Sequence, residues 1–361
     1  MNMPPSTASA DLLSQRTPAA ALQTPAALPD HRHEIALPTA AALRRQLPAD
    51  EFLNSQIAAH RDEVRNILRG HDPRTLMVVG PCSIHDEVAA LEYGEKLKAL
   101  ADSVADRFLI VMRAYLEKPR TTIGWKGLLY DPERTGNGDL NTGLVRSRRL
   151  LLNLTAMGLP LATEALSPLT MDYMGDLISW TAIGARTTES QVHRELVSGL
   201  SMPVGFKNAT NGSVVVAGDA MRSAAHPHHY MGISATGGPV MITTRGNQDT
   251  HLVLRGGRGI TNYDADSIAS AVKSLTDAGL PTAIMVDCSH DNACKQAERQ
   301  LDIAREVIAQ KRAGNQHIRG LMLESFLEPG RQDDSKELAY GCSITDPCLG
   351  WSQTERLIRS L

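Results

Sequence analysis

A thiol, an imidazole and two carboxylates, those of Cys82, His290, Glu324 and Asp346, are the side chains of this sequence that could together hold a divalent transition metal. Oxygen ligands favour Mn2+ or Fe2+, while a thiolate with an imidazole also admits Zn2+ or Co2+. Spacing alone does not assemble such a site, because the four are scattered over more than 260 positions and a lone buried cysteine is most often a small hydrophobe. A second set is cationic: Arg113, Arg186, Lys207 and Arg255, with Lys118, Arg120 and Lys126 of the segment KPRTTIGWKG. Arginine recognises oxyanions through two parallel hydrogen bonds and lysine as a point charge, so these residues on one rim would suit a ligand carrying phosphate and carboxylate groups. Taken singly, each reads equally well as half of a rim salt bridge.

Their neighbours extend the pattern. Thr121 and Thr122 can hydrogen-bond phosphate oxygens, Gly124 and Gly127 permit close backbone approach, and Trp125 is expected to pack beneath that loop. GARTT at 184–188 reads as a strand leading into a helix, whose first N–H groups would form another anion-binding element. Glu164 closes an apolar run in the same way as Arg113 and Lys207.

The elements that must position these residues alternate along the chain. Apolar runs of strand length are Leu76 to Gly80, Phe108 to Arg113, Leu159 to Glu164, Trp180 to Ala185, Val204 to Lys207, His229 to Ile233, Ala283 to Cys288 and Ile318 to Glu324. Helical patterns separate them, among them Asp86 to Ala101, Ser167 to Ser179 with Ser167 as cap, Asp264 to Ala278 and Cys294 to Lys311. Eight such repeats predict an α/β fold, a (β/α)8 TIM barrel, over residues 73–361. An open doubly wound sheet is disfavoured, since no G-x-G-x-x-G follows the first strand. Val240 to Thr244 and His251 to Leu254, flanking Arg245-Gly246-Asn247, read as an added β-hairpin after the sixth strand. Upstream, Leu53, Ile57, Val64, Ile67 and Leu68 share one helical face ended by Gly70, within a segment 31–72 expected to pack outside the barrel. Residues 1–30, rich in Ala, Pro, Ser and Thr, read as a disordered leader with neither a signal peptide nor a transit-peptide pattern.

Composition narrows the function classes. With 37 basic and 40 acidic residues the net charge is −3, which supports no nucleic-acid or membrane surface, and 4% aromatic residues provide no base-stacking platform. No apolar run approaches the 18 or so residues of a membrane span. Five cysteines without a C-x-x-C pair fit a reduced, cytoplasmic protein. Cys288, Cys294, Cys342 and Cys348 read as packing or surface thiols, His226 and His228 as loop residues, and the cluster of His226, His228 and His229 not as a metal site.

Together GPCSIHD (80–86), KPRTTIGWKG (118–127), GARTTESQVHRELVSGL (184–200), PVGFKN (203–208), LRGG (254–257), DCSH (287–290), the Glu-Ser of LES (323–325) and YGCSITDPCLGW (340–351) resemble class I 3-deoxy-D-arabino-heptulosonate 7-phosphate (DAHP) synthase. The resemblance runs in order from about Asp30 to the C terminus. It implies a metal-dependent transferase that condenses phosphoenolpyruvate with D-erythrose 4-phosphate, the entry step of the shikimate pathway. It also implies Cys82, His290, Glu324 and Asp346 as metal ligands, with Mn2+ ahead of Fe2+, Co2+ and Zn2+. Arg113 and Lys118 would meet the phosphoenolpyruvate carboxylate, Lys118 also lying near the reacting centre. Ala185, Arg186, Lys207 and Arg255 would hold its phosphate, and Arg120 and Thr121 the phosphate of the aldose. Glu164 would serve as an acid or position water.

Members of this family are commonly feedback-inhibited by one aromatic amino acid, and the resemblance implies a homodimer or homotetramer. Ser201 and Gly232 match positions lining the inhibitor pocket; a glycine at 232 favours tyrosine over phenylalanine by leaving room for its hydroxyl, while the closing CSITDPCLGW resembles tryptophan-sensitive members. Two alternatives stand beside this reading: a 3-deoxy-D-manno-octulosonate 8-phosphate synthase, disfavoured by KPRTTIGWKG, and a non-catalytic aromatic amino-acid-binding module, disfavoured by the full set of candidate ligands and rim cations.

Overall fold

In the computed structural model, which describes residues 33–335 and 337–361, the apolar runs close into a parallel barrel. The expected leader over 1–30 lies outside the described residues. Residues 33–37 are exposed and carry no regular secondary structure, and the second compact unit spans Pro38–Leu361. Its strands are β1 (Thr75–Gly80), β2 (Phe108–Arg113), β3 (Leu161–Glu164), β4 (Trp180–Ile183), β5 (Val204–Lys207), β6 (His229–Ile233), β7 (Pro239–Thr243), β8 (Thr250–Leu254), β9 (Ile284–Asp287) and β10 (Ile318–Glu324). The barrel runs β1-β2-β3-β4-β5-β8-β9-β10 and back to β1, every pair parallel. Its helices are α1 (Ala40–Gln46), α2 (Glu51–Arg69), α3 (Glu87–Ser103), α4 (Leu140–Ala156), α5 (Thr170–Met174), α6 (Gln191–Gly199), α7 (Val215–Ala224), α8 (Ala265–Asp277), α9 (Arg299–Arg312) and α10 (Trp351–Ser360).

The inserted hairpin differs from its sequence assignment. His229–Ile233 is not a barrel strand; it pairs antiparallel with Pro239–Thr243 in a separate two-stranded sheet. Thr250–Leu254 is the sixth barrel strand, so the hairpin precedes that strand and does not follow it. Burial gives the reason: β6 alternates between exposed and half-buried residues, whereas β8 is buried throughout, as a parallel strand covered on both faces must be. Two helices are also shorter than their patterns. Between Ser167 and Ser179 only α5 and a 3-10 turn at Gly175–Leu177 form, Ser167 is not the cap, and the Ser179 N–H already bonds Leu161 O as β4 begins. α9 starts at Arg299 because Cys294 and Lys295 adopt positive φ in the turn before it.

Period-two alternation orients the barrel interior. Leu76, Val78, Leu109, Val111, Ala162, Trp180, Ala182, Val253, Met285 and Met322 form one buried cluster, which also contains Val64, Ile67 and Leu68 of α2. The helix between the Asp50 cap and Gly70 therefore closes the N-terminal end of the barrel instead of standing outside it. Ile67→Ala should cost about 2–5 kcal/mol, read as a lower denaturant midpoint, because Ile67 is fully buried and its removal opens a cavity.

Deep in the barrel, the Trp180 Nε1–H donates to His251 Nε2 at 2.9 Å, and burial pushes the His251 pKa down to about 4. An unfolded histidine titrates near 6.5. Between these values the unfolded chain binds more protons, so stability is lost as pH falls from 6.5 towards 4. The His251 contribution should drop by about 2 kcal/mol from pH 7 to pH 5. Denaturant midpoints should therefore depend less on pH in His251→Gln than in the parent protein; equal slopes would count against the assignment.

Candidate active site

Two residues beyond Val111, Ala162, Ala182, Val253, Met285 and Met322, the same inward face carries Arg113, Glu164, Gly184, Arg255, Asp287 and Glu324, with Lys207 in the matching place on β5. The apolar column thus gives way to charge where the strands end. A cleft of about 250 Å3 opens there, lined by Arg113, Tyr115, Lys118, Arg120, Thr121, Thr122, Glu164, Gly184, Ala185, Arg186, Lys207, Arg255, His290 and Asp346 among others. Glu324 lies at its inner end and lines an adjoining cavity with His290 and Asp346.

Cys82, Glu324 and Asp346 bring one sulfur and two carboxylate oxygens within 4.8 Å of one another. His290 stands beside them, its Nε2 4.0 Å from Glu324 Oε1 and its Nδ1 2.9 Å from the fully buried Asp287. A carboxylate on one ring nitrogen that leaves the other facing the donors is the usual support of a metal-bound histidine. His290 also holds φ at 51°, a conformation a non-glycine residue keeps only where its surroundings enforce it. Burial, reinforced by Glu324, pushes the Cys82 thiol up to about 12. A buried thiol crowded by two carboxylates calls for a cation, and sulfur, nitrogen and oxygen donors together fit a first-row divalent ion.

Lys118 reaches into the same cluster, 2.9 Å from Cys82 Sγ and 2.8 Å from Asp346 Oδ2. Burial opposes its charge, but Cys82, Asp346 and Glu324 outweigh burial and hold its pKa above the ordinary lysine range. Asp346 is the converse: burial would raise its pKa, and Lys118 with His290 keeps it low. Beneath them Arg113, 1% exposed, donates to Glu324 Oε1 at 3.1 Å and to Cys82 O, with its guanidinium 3.8 Å from the Tyr115 ring centroid. Lys207 is paired with Asp287 at 2.9 Å, and Arg255 with Asp291. Arg186 and Arg120 have no carboxylate partner among the described residues, so their charges are left for a ligand.

Local backbone geometry explains two glycines. A β-carbon on Gly184 would come 2.2 Å from Glu164 Oε1, so only glycine lets that carboxylate lie across the strand end. At Gly127, with φ 114°, a β-carbon would strike Leu116 O at 2.2 Å where the loop carrying Arg120 and Thr121 closes through Lys118 N–H to Lys126 O. Trp125 is buried under that loop and donates to Asp131 O, as its sequence position suggests. Lys126 is exposed and does not line the cleft. GARTT is a turn: α6 starts only at Gln191, so these N–H groups are not at a helix start.

Residues 51–359 match the DAHP synthetase I family. The chain belongs to that family. The Tyr-sensitive phospho-2-dehydro-3-deoxyheptonate aldolase of Escherichia coli is 50% identical over 91% of this chain and 93% of its own. The Phe-sensitive enzyme of the same organism is 48% identical over 89% of this chain and 92% of its own, and the Trp-sensitive enzyme of Enterobacter agglomerans 48% over 90% and 93%. A solved phospho-2-dehydro-3-deoxyheptonate aldolase from Francisella tularensis superposes with a TM-score of 0.89 at 44% identity, covering 91% of this chain and 96% of that one. Membership makes the chain a transferase of the 3-deoxy-7-phosphoheptulonate synthase type, in a family that is generally metal-dependent, and speaks against the non-catalytic reading.

For this DAHP synthetase I chain the sequence reading missed Asp287, Tyr115 and Asp291. Asp287 stood in the quoted DCSH segment, and its position two residues after Met285 was the available signal. The three histidines at 226, 228 and 229 bond separately to Arg222 O, Ser223 O and Thr243 Oγ1. Among the remaining cysteines, Cys294 is exposed and Cys288, Cys342 and Cys348 are buried, all unbridged. Ser201 lies between α6 and β5, its Oγ accepting from Arg61 Nη1 at 3.0 Å. Gly232 lies in the hairpin, and Ile242 Cδ1 stands 2.3 Å from where its β-carbon would be, so the room expected there is filled by isoleucine. No helix among the described residues is long and apolar enough to cross a membrane.

Proposed function

We propose that the cleft condenses phosphoenolpyruvate with D-erythrose 4-phosphate and water, giving 3-deoxy-D-arabino-heptulosonate 7-phosphate and phosphate at the entry of the shikimate pathway. The observation that carries this reading is the meeting of a Cys82–Glu324–Asp346 donor group and a ring of cations in one cleft. Two phosphorylated anions side by side repel by about 4 kcal/mol per unit-charge pair at 4 Å and an effective dielectric of 20. Fixed cations along the cleft offset that repulsion.

Arg186, Lys207 and Arg255, with the Ala185 backbone, hold the phosphate of phosphoenolpyruvate, and Arg113 with Lys118 orients its carboxylate. Arg120 and Thr121 take the phosphate of the aldose at the outer loop. C3 of phosphoenolpyruvate then forms a bond to the aldehyde carbon, water adds at C2, and the C2–O bond to phosphate breaks. Lys118, within reach of the reacting centre, protonates the nascent alkoxide, and Glu164 positions the attacking water and accepts its proton. A divalent ion held by Cys82, His290, Glu324 and Asp346, Mn2+ ahead of Fe2+, Co2+ and Zn2+, supplies Lewis-acid polarisation of the aldehyde oxygen when bound.

The reading extends to a homodimer or homotetramer working in the cytoplasm, with the 31–72 segment contributing to regulation and assembly and an aromatic amino acid acting as inhibitor near Ser201 and Gly232. Tyrosine is kept as the first inhibitor to test, although Ile242 fills the room argued for at Gly232 and relatives sensitive to tyrosine, phenylalanine and tryptophan, at 50%, 48% and 48% identity, do not choose among them. Phosphoenolpyruvate consumption should require erythrose 4-phosphate and a divalent metal, stop with chelator, and respond more to tyrosine than to phenylalanine or tryptophan. Consumption supported by a five-carbon aldose phosphate and not by erythrose 4-phosphate would overturn the substrate assignment, and inhibition by phenylalanine alone would overturn the choice of tyrosine.

A further inference from the structure

At the opposite end of the barrel from the cleft, a second cavity of about 360 Å3 lies between α2 and the first residues of β8, β9 and β10. Three arginines line it, Arg65, Arg69 and Arg319, together with Thr282 and His317, and the carboxylate facing them is that of Asp249. Asp249 is already engaged by Arg65 Nε at 2.7 Å and by Arg69. Arg319 has neither a carboxylate partner nor a hydrogen bond among the described residues.

The backbone aims Arg319 here. β10 shifts register against β9 between Ile318 and Gly320, leaving Arg319 as the extra residue of a bulge, a device that redirects a side chain. The guanidinium then runs past Gly70, the residue ending α2, where a β-carbon would come within 2.6 Å of Nη2. Burial pushes the Arg319 pKa down with no anion to offset it. Burial, and after it the like charge of Arg319, lower the neighbouring Lys311 to about 8 against the opposite pull of Asp72. Arg319 lines this cavity and Lys311 a separate one, so the uncompensated charge facing the polar cavity is that of Arg319, the electrostatics of an anion site.

We infer that this cavity, between the C-terminal end of α2 and the Arg319 bulge, binds a phosphate group, free or carried on a small metabolite, with Arg319 as its principal contact and Arg69 as its second. The bound dianion bridges the end of α2 to the barrel floor and couples occupancy to the stability of that end.

The test compares the holoenzyme with its Arg319→Met variant in inorganic phosphate raised to about 10 mM at constant ionic strength. Both proteins keep the same catalytic cleft, so any phosphate bound there cancels in the comparison. The parent should gain about 2–3 °C in Tm and the variant markedly less. An equal gain in both, or none in the parent, overturns the inference. Should Arg319→Met fail to fold, amine labelling of Lys311 in the parent decides the matter by mass spectrometry. Phosphate that relieves the repulsion raises the Lys311 pKa and slows labelling several-fold, and a rate indifferent to phosphate overturns the inference.

Discussion

Cys82→Ala should reduce turnover to below about one-thousandth of the parent rate while leaving the barrel folded. Lewis-acid stabilisation of developing charge amounts to several kcal/mol, and each 1.36 kcal/mol is tenfold in rate. Cys82 contributes the sulfur of the close three-residue group, whose other members are carboxylates. Its side chain is small and fully buried, so alanine leaves a cavity of only one sulfur atom. Phosphoenolpyruvate consumption, bound metal by elemental analysis and circular dichroism should together show lost activity, lost metal and an unchanged fold. Activity near the parent level in protein that carries no metal would overturn the assignment of Cys82 as a ligand.

Arg186→Ala should raise KM for phosphoenolpyruvate by about 10- to 100-fold with little change in kcat. A hydrogen bond to a charged group contributes about 1.5–3 kcal/mol, which is that range of affinity. A contact made equally in the ground and transition states appears in KM and not in kcat. Arg186 suits this experiment better than Lys207, whose removal would leave the buried Asp287 without its lysine and destabilise the protein by several kcal/mol. No carboxylate among the described residues depends on Arg186 in this way. An unchanged KM would remove it from the phosphate site, and a parallel rise in KM for erythrose 4-phosphate would place it between the two substrates.

The barrel was legible because parallel strands covered on both faces read as uninterrupted apolar runs, and seven of the eight were found that way. The eighth was missed for a physical reason. His251 interrupts THLVL and made β8 look like half of a surface hairpin, yet it is fully buried and satisfied by the Trp180 indole 71 positions away in sequence. Conversely HYMGI, with its histidine, glycine and alternating exposure, lacks the continuous burial of a barrel strand. The site residues at strand ends were legible for the same reason as the strands. Their partners were not, since Lys207 and Asp287 are separated by 80 positions and only closure of the barrel brings them together.

The barrel interior is filled by its own side chains, with Val64, Ile67 and Leu68 packed against its N-terminal end. With the core packed throughout, the cleft is reached from the C-terminal ends of the strands. Arg113 lies at the back, while Arg120 and the 96%-exposed Ile123 stand at the threshold. On the proposed reading, the molecule meeting Arg113 should bind before the one held by the outer loop, and steady-state inhibition patterns showing the reverse order would count against it.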